Sequence, residues 1–265
     1  MILVAPKSQQ ATSLDPITSG TIGVKMSGGA DSTILFYILC KTIRDCELDV
    51  NILPVTQVYL DRPANAATVC MLVNKIEKML DVDFILDPLI YYSGRLNNNW
   101  EEWHDAMLFQ EGIVDQLYNA RTAVPKDPIS DSIPPARNPF REYPTRERIL
   151  SRTFHEEEFW KTGDVSHLPL PEDIPVYWRE QPFVNVDKRF VAEMYRFNNV
   201  EHTLVPMTWS CIAPFSETKG FTKPCGGCFW CKEKEWAFGY HDDQRPNYYG
   251  ELESEVYNWN PDRGY

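Results

Sequence analysis

Two stretches of this 265-residue chain combine residue types at spacings that support chemistry. The first is Ser27-Gly28-Gly29-Ala30-Asp31-Ser32-Thr33, which lies between the apolar residues Ile22, Val24 and Met26 and the apolar run Thr33 to Leu39. Two glycines let the backbone turn sharply and approach a ligand with no Cβ in the way. A helix that starts behind them offers unpaired N–H groups and the positive end of its dipole. The result is a cradle for an anion, phosphate above all, to which the Ser27 and Ser32 hydroxyls add hydrogen bonds. Asp31 would place a divalent cation or cap the helix. The plainer alternative is a tight turn in which Asp31 or Ser32 serves only as a cap. The stretch is not a P-loop, which needs lysine after the second glycine, and it lacks the G-x-G-x-x-G spacing of dinucleotide folds.

The second stretch is Cys211, Cys225, Cys228 and Cys231, spaced C-x13-C-x2-C-x2-C. Cysteines two apart in a turn can present thiolates to one ion, and four of them complete a closed tetrahedral zinc site. Gly226-Gly227 permits that turn, and Lys223, Lys232 and Lys234 stand close in sequence to offset thiolate charge. Reactive redox thiols and an iron–sulfur cluster are the alternatives for such spacing. A closed four-thiolate site has no position for water, so its expected role is structural. With seven cysteines, an odd number, the chain reads as a metal site plus scattered thiols rather than a secreted disulfide framework.

The elements around the glycine turn have the rhythm of a parallel sheet. A strand at Ile22 to Met26 leads into the phosphate helix, Ile52 to Leu60 is a β-rich run, and Ala64 to Leu80 carries apolar residues at helical spacing. Val82 to Ile85 reads as a further strand. This β-α-β-α-β order predicts an α/β fold with a doubly wound parallel sheet, which binds ligands at the carboxyl ends of its strands. Residues 1–20 read as a short strand and a loop, Tyr91 to Asn99 as a loop, Trp100 to Ala120 as one amphipathic helix, and Asp187 to Phe197 as another. Trp103, Met107, Ile113, Val114 and Leu117 are the expected core contacts of the Trp100 helix. His104 on that helix reads as a hydrogen-bonded structural residue, because spacing fixes no catalytic partner for it.

Composition narrows the function further. Hydrophobic residues at 43% and charged residues at 24% indicate a globular chain. A formal net charge of −12 disfavours a nucleic-acid partner and favours a small-molecule substrate. No stretch approaches the length of an apolar membrane span and the amino terminus lacks the flanks of a signal peptide, so a cytoplasmic protein with no membrane partner is expected.

The strand followed by S-G-G-x-D-S and a helix resembles the signature of the PP-loop pyrophosphatases, ATP enzymes that adenylate a substrate and release pyrophosphate. The match is full at Ser27, Gly28, Gly29, Asp31 and Ser32. The carboxyl-terminal portion is similar, more narrowly, to the 7-cyano-7-deazaguanine (preQ0) synthase family within that group. The residues concerned are Thr208-Trp209-Ser210-Cys211, then Cys225-Gly226-Gly227-Cys228-x-x-Cys231, then Lys232 to Phe238. Asp187-Lys188-Arg189-Phe190 through Val205 also resembles the family. The middle departs from it: Tyr59-Leu60-Asp61-Arg62 stands where the family has Tyr-Gly-Gln, and the family's Pro-Gly-Arg-Asn segment has no clear counterpart.

The resemblance implies an ATP-dependent ligase of the queuosine route that converts 7-carboxy-7-deazaguanine and ammonia to the nitrile through adenylated intermediates, with Mg²⁺ on ATP and zinc on the four cysteines. Pyrophosphate would rest on Ser27 to Thr33, and no acid or base residue is assigned. Another PP-loop adenylation, thiolation or amidation of a different substrate, and a non-catalytic zinc-stabilised nucleotide-binding protein are the rivals. The expected organisation is a nucleotide-binding core at 1–124, a proline-dense insertion or lid at 125–182, a part carrying the cysteine site at 183–240 and a tail at 241–265. Arg137, Arg141, Arg146, Arg148 and Arg152 in the insertion face either solvent or phosphates, and one helix fits Arg146 to Lys161. The tail is either an arm that contacts a second subunit in a homodimer or a loose end.

Overall fold

The computed structural model describes residues 1–14, 17, 20–59, 64–93, 99–123, 179–184, 186–213 and 215–240. The expected helix at Arg146 to Lys161, the five arginines of the insertion and the tail lie outside the described residues.

Strands β1 (Ile2–Ala5) and β2 (Gln10–Ser13) pair antiparallel as a hairpin, where one strand and a loop are expected from sequence. The main sheet comprises β3 (Gly20–Lys25), β4 (Val50–Tyr59), β5 (Leu89–Ser93), β6 (Gln116–Asn119) and β7 (Arg179–Glu180), in the order β5-β4-β3-β6-β7. Every pair in it is parallel. The helices are α1 (Ala30–Asp45), α2 (Ala64–Leu80), α3 (Asn99–Gln110), α4 (Lys188–Phe197), the short α5 (Glu201–Leu204) and α6 (Phe229–Phe238).

Alternation along β3 explains the layering. Ile22 and Val24 point into a large core with Ile34, Leu35 and Leu39 of α1, Val69 and Leu72 of α2, and Phe190 and Tyr195 of α4. The opposite face meets a smaller cluster of Leu53, Val55, Leu108, Val114 and Leu117 beneath α3. Gly23 faces this second cluster, where a Cβ would lie 2.7 Å from Leu117 Cδ1. Helices thus cover both sides of a parallel sheet, as the β-α-β rhythm predicts. In sheet order the strands run outward in both directions from β3 and β6, so the winding reverses between them, and ligands of open α/β sheets bind at such a reversal.

Two expected elements are placed differently. Val82 to Ile85 forms only a bridge, Ile52 to Ile85, held by Ile52 N–H donating to the Phe84 carbonyl and Leu86 N–H donating to the Ile52 carbonyl. The next donors in a parallel ladder would be Pro54 and Pro88, which have no N–H, so pairing lapses and resumes at Val55 with Leu89. The predicted Tyr91 to Asn99 loop therefore begins inside β5. The helix expected from Trp100 to Ala120 ends at Gln110, because Gly112 adopts φ +63° and turns the chain into β6. Val114 and Leu117 are buried as expected, from a turn and a strand, whereas Ile113 is exposed.

Candidate phosphate and thiolate site

The loop Met26–Gly29 leaves the carboxyl end of β3 beside the winding reversal and enters α1. Gly28 has φ +75°, and a Cβ there would lie 3.0 Å from Thr68 Cγ2 on α2, so this residue sets how closely the loop approaches its neighbour. Gly29 occupies the N-cap of α1 with extended backbone and no side-chain cap. Its own N–H donates to Ser27 Oγ at 3.3 Å. Ser27 Oγ and Ser32 Oγ stand 3.2 Å apart. Ser32 Oγ also donates to the Gly29 carbonyl at 3.3 Å, and Thr33 Oγ1 to the same carbonyl at 2.8 Å. These contacts brace the turn from within, while the amides of Ala30, Asp31 and Ser32 have no partner among the described residues. Open N–H groups at the positive end of a 16-residue helix suit an anion.

Asp31 does not cap the helix. Its Oδ2 accepts from Lys188 Nζ of α4 at 2.5 Å, and its Oδ1 is buried without a partner among the described residues. Lys188 also stands 3.8 Å from Glu233 Oε2 on α6, and both Lys188 and Glu233 are almost fully buried. Tyr195 on α4 donates to the Ala30 carbonyl at 2.8 Å. Burial, with the Asp31 charge adding to it, pushes the Tyr195 phenol well above its ordinary value, which keeps it a donor. The seven residues from Ser27 to Thr33 therefore lie together, with Thr33 and Ala30 buried and turned into the scaffold.

The four cysteines also converge, their Sγ atoms all lying within 4.8 Å of one another. Backbone amides support the sulfurs: Ala213 N–H and Cys225 N–H donate to Cys211 Sγ at 3.4 and 3.3 Å, and Cys228 N–H donates to Cys225 Sγ at 3.3 Å. Cys228 and Cys231 Sγ are 3.5 Å apart, too far for a disulfide bond. Hydrogen bonds from the Cys211 thiol hold Cys225 below the ordinary thiol range and bring Cys228 to about 7, whereas Cys211 and Cys231 are pushed up by the same crowding. A single cation among four sulfurs this close would displace their protons and hold all four as thiolates. Of the lysines near them in sequence, Lys232 pairs with Glu235 at 3.0 Å, and buried Lys234 donates to Thr208 Oγ1 at 3.0 Å.

The two sites adjoin through Thr208-Trp209-Ser210-Cys211. Trp209 N–H donates to the Gly28 carbonyl at 2.7 Å, and Ser210 Oγ lies 3.6 Å from where a Gly29 Cβ would stand. Trp209 packs edge-on against Phe221 over the sulfur cluster. The His104 ring lies 4.3 Å from that of Tyr91, and burial lowers its pKa.

Lys188, Tyr195 and Glu233 escaped a functional assignment from sequence. Lys188 and Glu233 fall within the segments that resemble the family, but nothing in the linear sequence brings them to Asp31.

No protein-family model matches this chain, and no curated protein does. Among solved structures it is similar to that of U34-tRNA thiolase NcsA from Methanococcus maripaludis with its [4Fe-4S] cluster. Identity is 14%, the match covers 89% of this chain and 73% of that one, and the TM-score is 0.41.

Proposed function

We propose that this chain is an ATP-dependent adenylating enzyme of the PP-loop type, and specifically a carbon–nitrogen ligase that makes 7-cyano-7-deazaguanine from 7-carboxy-7-deazaguanine and ammonia. The observation that carries the reading is the S-G-G-x-D-S turn: uncapped helix amides and an unpartnered buried carboxylate oxygen of Asp31 stand at the winding reversal of a parallel sheet. The amides of Ala30 to Ser32 suit the pyrophosphate portion of ATP, and Asp31 Oδ1 suits its Mg²⁺.

The chemistry follows from leaving groups. The substrate carboxylate attacks the α-phosphorus and pyrophosphate departs. Ammonia then displaces AMP and sheds a proton, leaving the amide. The amide oxygen is adenylated by a second ATP, and loss of AMP with the remaining N–H protons gives the nitrile. Charge on each departing pyrophosphate is met by the helix amides and by Lys188.

The thiolate site we assign to one structural zinc ion. A tetrahedron of sulfurs about 2.3 Å from a central ion has edges near the separations found here. A cuboidal iron–sulfur cluster would have to occupy the space between the thiolates and hold them farther apart.

The test is incubation with ATP, Mg²⁺, ammonium and the carboxy-deazaguanine, followed by mass spectrometry. Nitrile and AMP are expected together, and Asp31→Ala should abolish substrate-dependent pyrophosphate release. AMP without nitrile would assign another acceptor to the same chemistry, and neither AMP nor pyrophosphate from any acceptor would leave a nucleotide-binding protein.

A further inference from the structure

Three charges meet at the Ser27–Ser32 loop: the partly exposed Asp31 on α1, and the buried Lys188 on α4 and Glu233 on α6. Lys188 Nζ is 2.5 Å from Asp31 Oδ2 and 3.8 Å from Glu233 Oε2. Glu233 is fully buried and the Lys188 side chain is 3% exposed, so water cannot stand in for either partner. One ammonium thus serves two carboxylates, the near one closely and the far one at the limit of an ion pair. To transfer fully to Glu233, the ammonium would need to move on the order of 1 Å, the difference between the present 3.8 Å and an ordinary charge-assisted hydrogen bond. Asp31 Oδ1, the oxygen that does not hold Lys188, is buried with no partner among the described residues. That oxygen is an acceptor able to take a cation.

We infer that Glu233 is a positioning residue for the phosphate site: it retains the Lys188 ammonium when Asp31 is drawn to a divalent cation, so the loop keeps a positive charge while its carboxylate is released. This rests on reading the Ser27–Ser32 loop as a pyrophosphate site. The signs are consistent. Asp31, Lys188 and Glu233 carry a net charge of −1, which attracts a divalent cation; with the cation bound the cluster is +1 and faces an anion. Removing the Glu233 charge leaves Lys188 with Asp31 as its only partner among the three, and the tighter pair competes with the metal. Glu233 sits on α6, which also supplies Cys231, so the same helix anchors the thiolate centre and the counter-ion of the phosphate loop.

The experiment measures inorganic pyrophosphate binding by calorimetry on the full, metal-loaded chain, with and without Mg²⁺. Glu233→Gln should raise the Mg²⁺ concentration at half-effect about tenfold, a shift worth about 1.4 kcal/mol. It should leave Mg²⁺-free pyrophosphate binding unchanged or tighter, because a negative charge has gone. A purely structural role would weaken both together, and that result would overturn the proposal, as would an unchanged Mg²⁺ midpoint. Lys188→Met provides a second route should Glu233→Gln fail to fold. It frees Asp31, so Mn²⁺ binding followed by electron paramagnetic resonance should tighten, and an unchanged Mn²⁺ affinity would count against the relay. In a Lys188→Met background Glu233→Gln should add no further effect, since Glu233 acts through the lysine. A wild-type chain that binds no pyrophosphate removes the phosphate reading and this proposal together, whereas wild-type binding with unresponsive variants removes the proposal alone.

Discussion

Gly28 and Gly29 stand side by side in the loop and are required for different reasons. Gly28 sits at φ +75°, where a side chain costs about 1–2 kcal/mol in backbone strain, and its added Cβ would also press on Thr68 Cγ2 at 3.0 Å. Gly29 has φ −80° and ψ 168°, a conformation open to any residue, but its Cβ would lie 3.2 Å from Ser27 Oγ and 3.6 Å from Ser210 Oγ, among the hydroxyls that line the cradle. Gly28→Ala should therefore lower the urea midpoint by an amount equivalent to about 1–3 kcal/mol. Gly29→Ala, at an N-cap where alanine is poorer than glycine, should cost no more than about 1 kcal/mol of stability and weaken pyrophosphate binding about tenfold or more. Equal unfolding midpoints for the two variants would show that the positive φ has no energetic role. At this scale the sequence was informative where contacts are local. The Ser27–Ser32 turn and the four cysteines are legible because neighbours in the chain are neighbours in space. Lys188 was not, since it meets Asp31 across 157 positions.

Among the elements, the misplaced strand and the shortened helix have the same kind of cause. An apolar run such as Val82 to Ile85 has strand character, yet whether it extends depends on the partner strand offering donors, and Pro54 and Pro88 withhold them. Likewise Val114 and Leu117 fit a helical period by coincidence, and the φ of Gly112 decides against it. Periodicity reports which residues are buried, not which backbone buries them. Helix α4 is a case where the local signal and the tertiary role coincide. Asp187 caps it by accepting from Arg189 N–H at 2.9 Å, and ties it to the amino-terminal hairpin through Gln10 Nε2 at 2.9 Å and Gln10 Oε1 at 2.7 Å. Burial alone would raise the Asp187 pKa, but the Arg189 side chain, Gln10 and the Arg189 amide hold it below the ordinary 3.8. A carboxyl with a depressed folded-state pKa stabilises the fold above its unfolded value and loses that contribution as pH falls through the folded one. Asp187→Ala should thus cost about 1–2 kcal/mol at pH 7. The gap between the two proteins should narrow as pH drops below about 4, read from urea melts across pH. A gap that stayed constant down to pH 2 would mean that the ionised carboxylate contributes nothing.

For the whole molecule, the consequential fact is that the sulfur cluster and the Ser27–Ser32 loop share a wall. Trp209 N–H holds the Gly28 carbonyl, Cys211 follows two residues later, and α6 runs from the cluster into the large core at Ala237 and Phe238. The cysteines pack in a cluster of their own with Trp209 and Ala213, and α6 joins that cluster to the large core. Ligand thiolates crowded within 4.8 Å repel one another once ionised, and a cation reverses the sign of that interaction. Metal binding is then folding energy for the Thr208–Cys211 strap and, through it, for the loop. Removal by a strong chelator should release one zinc ion per chain and lower the melting temperature by on the order of 10 °C, as loss of several kcal/mol does in a chain of this size. Pyrophosphate affinity should fall in parallel and return when zinc is restored. Cys211→Ser should reproduce the loss, whereas Cys46→Ser, at an exposed thiol on the far end of α1, should not. The decisive comparison is between the two readouts along one chelator titration. Were the melting temperature to fall while pyrophosphate affinity held constant, the strap would be only an attachment point, and the bond from Trp209 to Gly28 would carry no coupling.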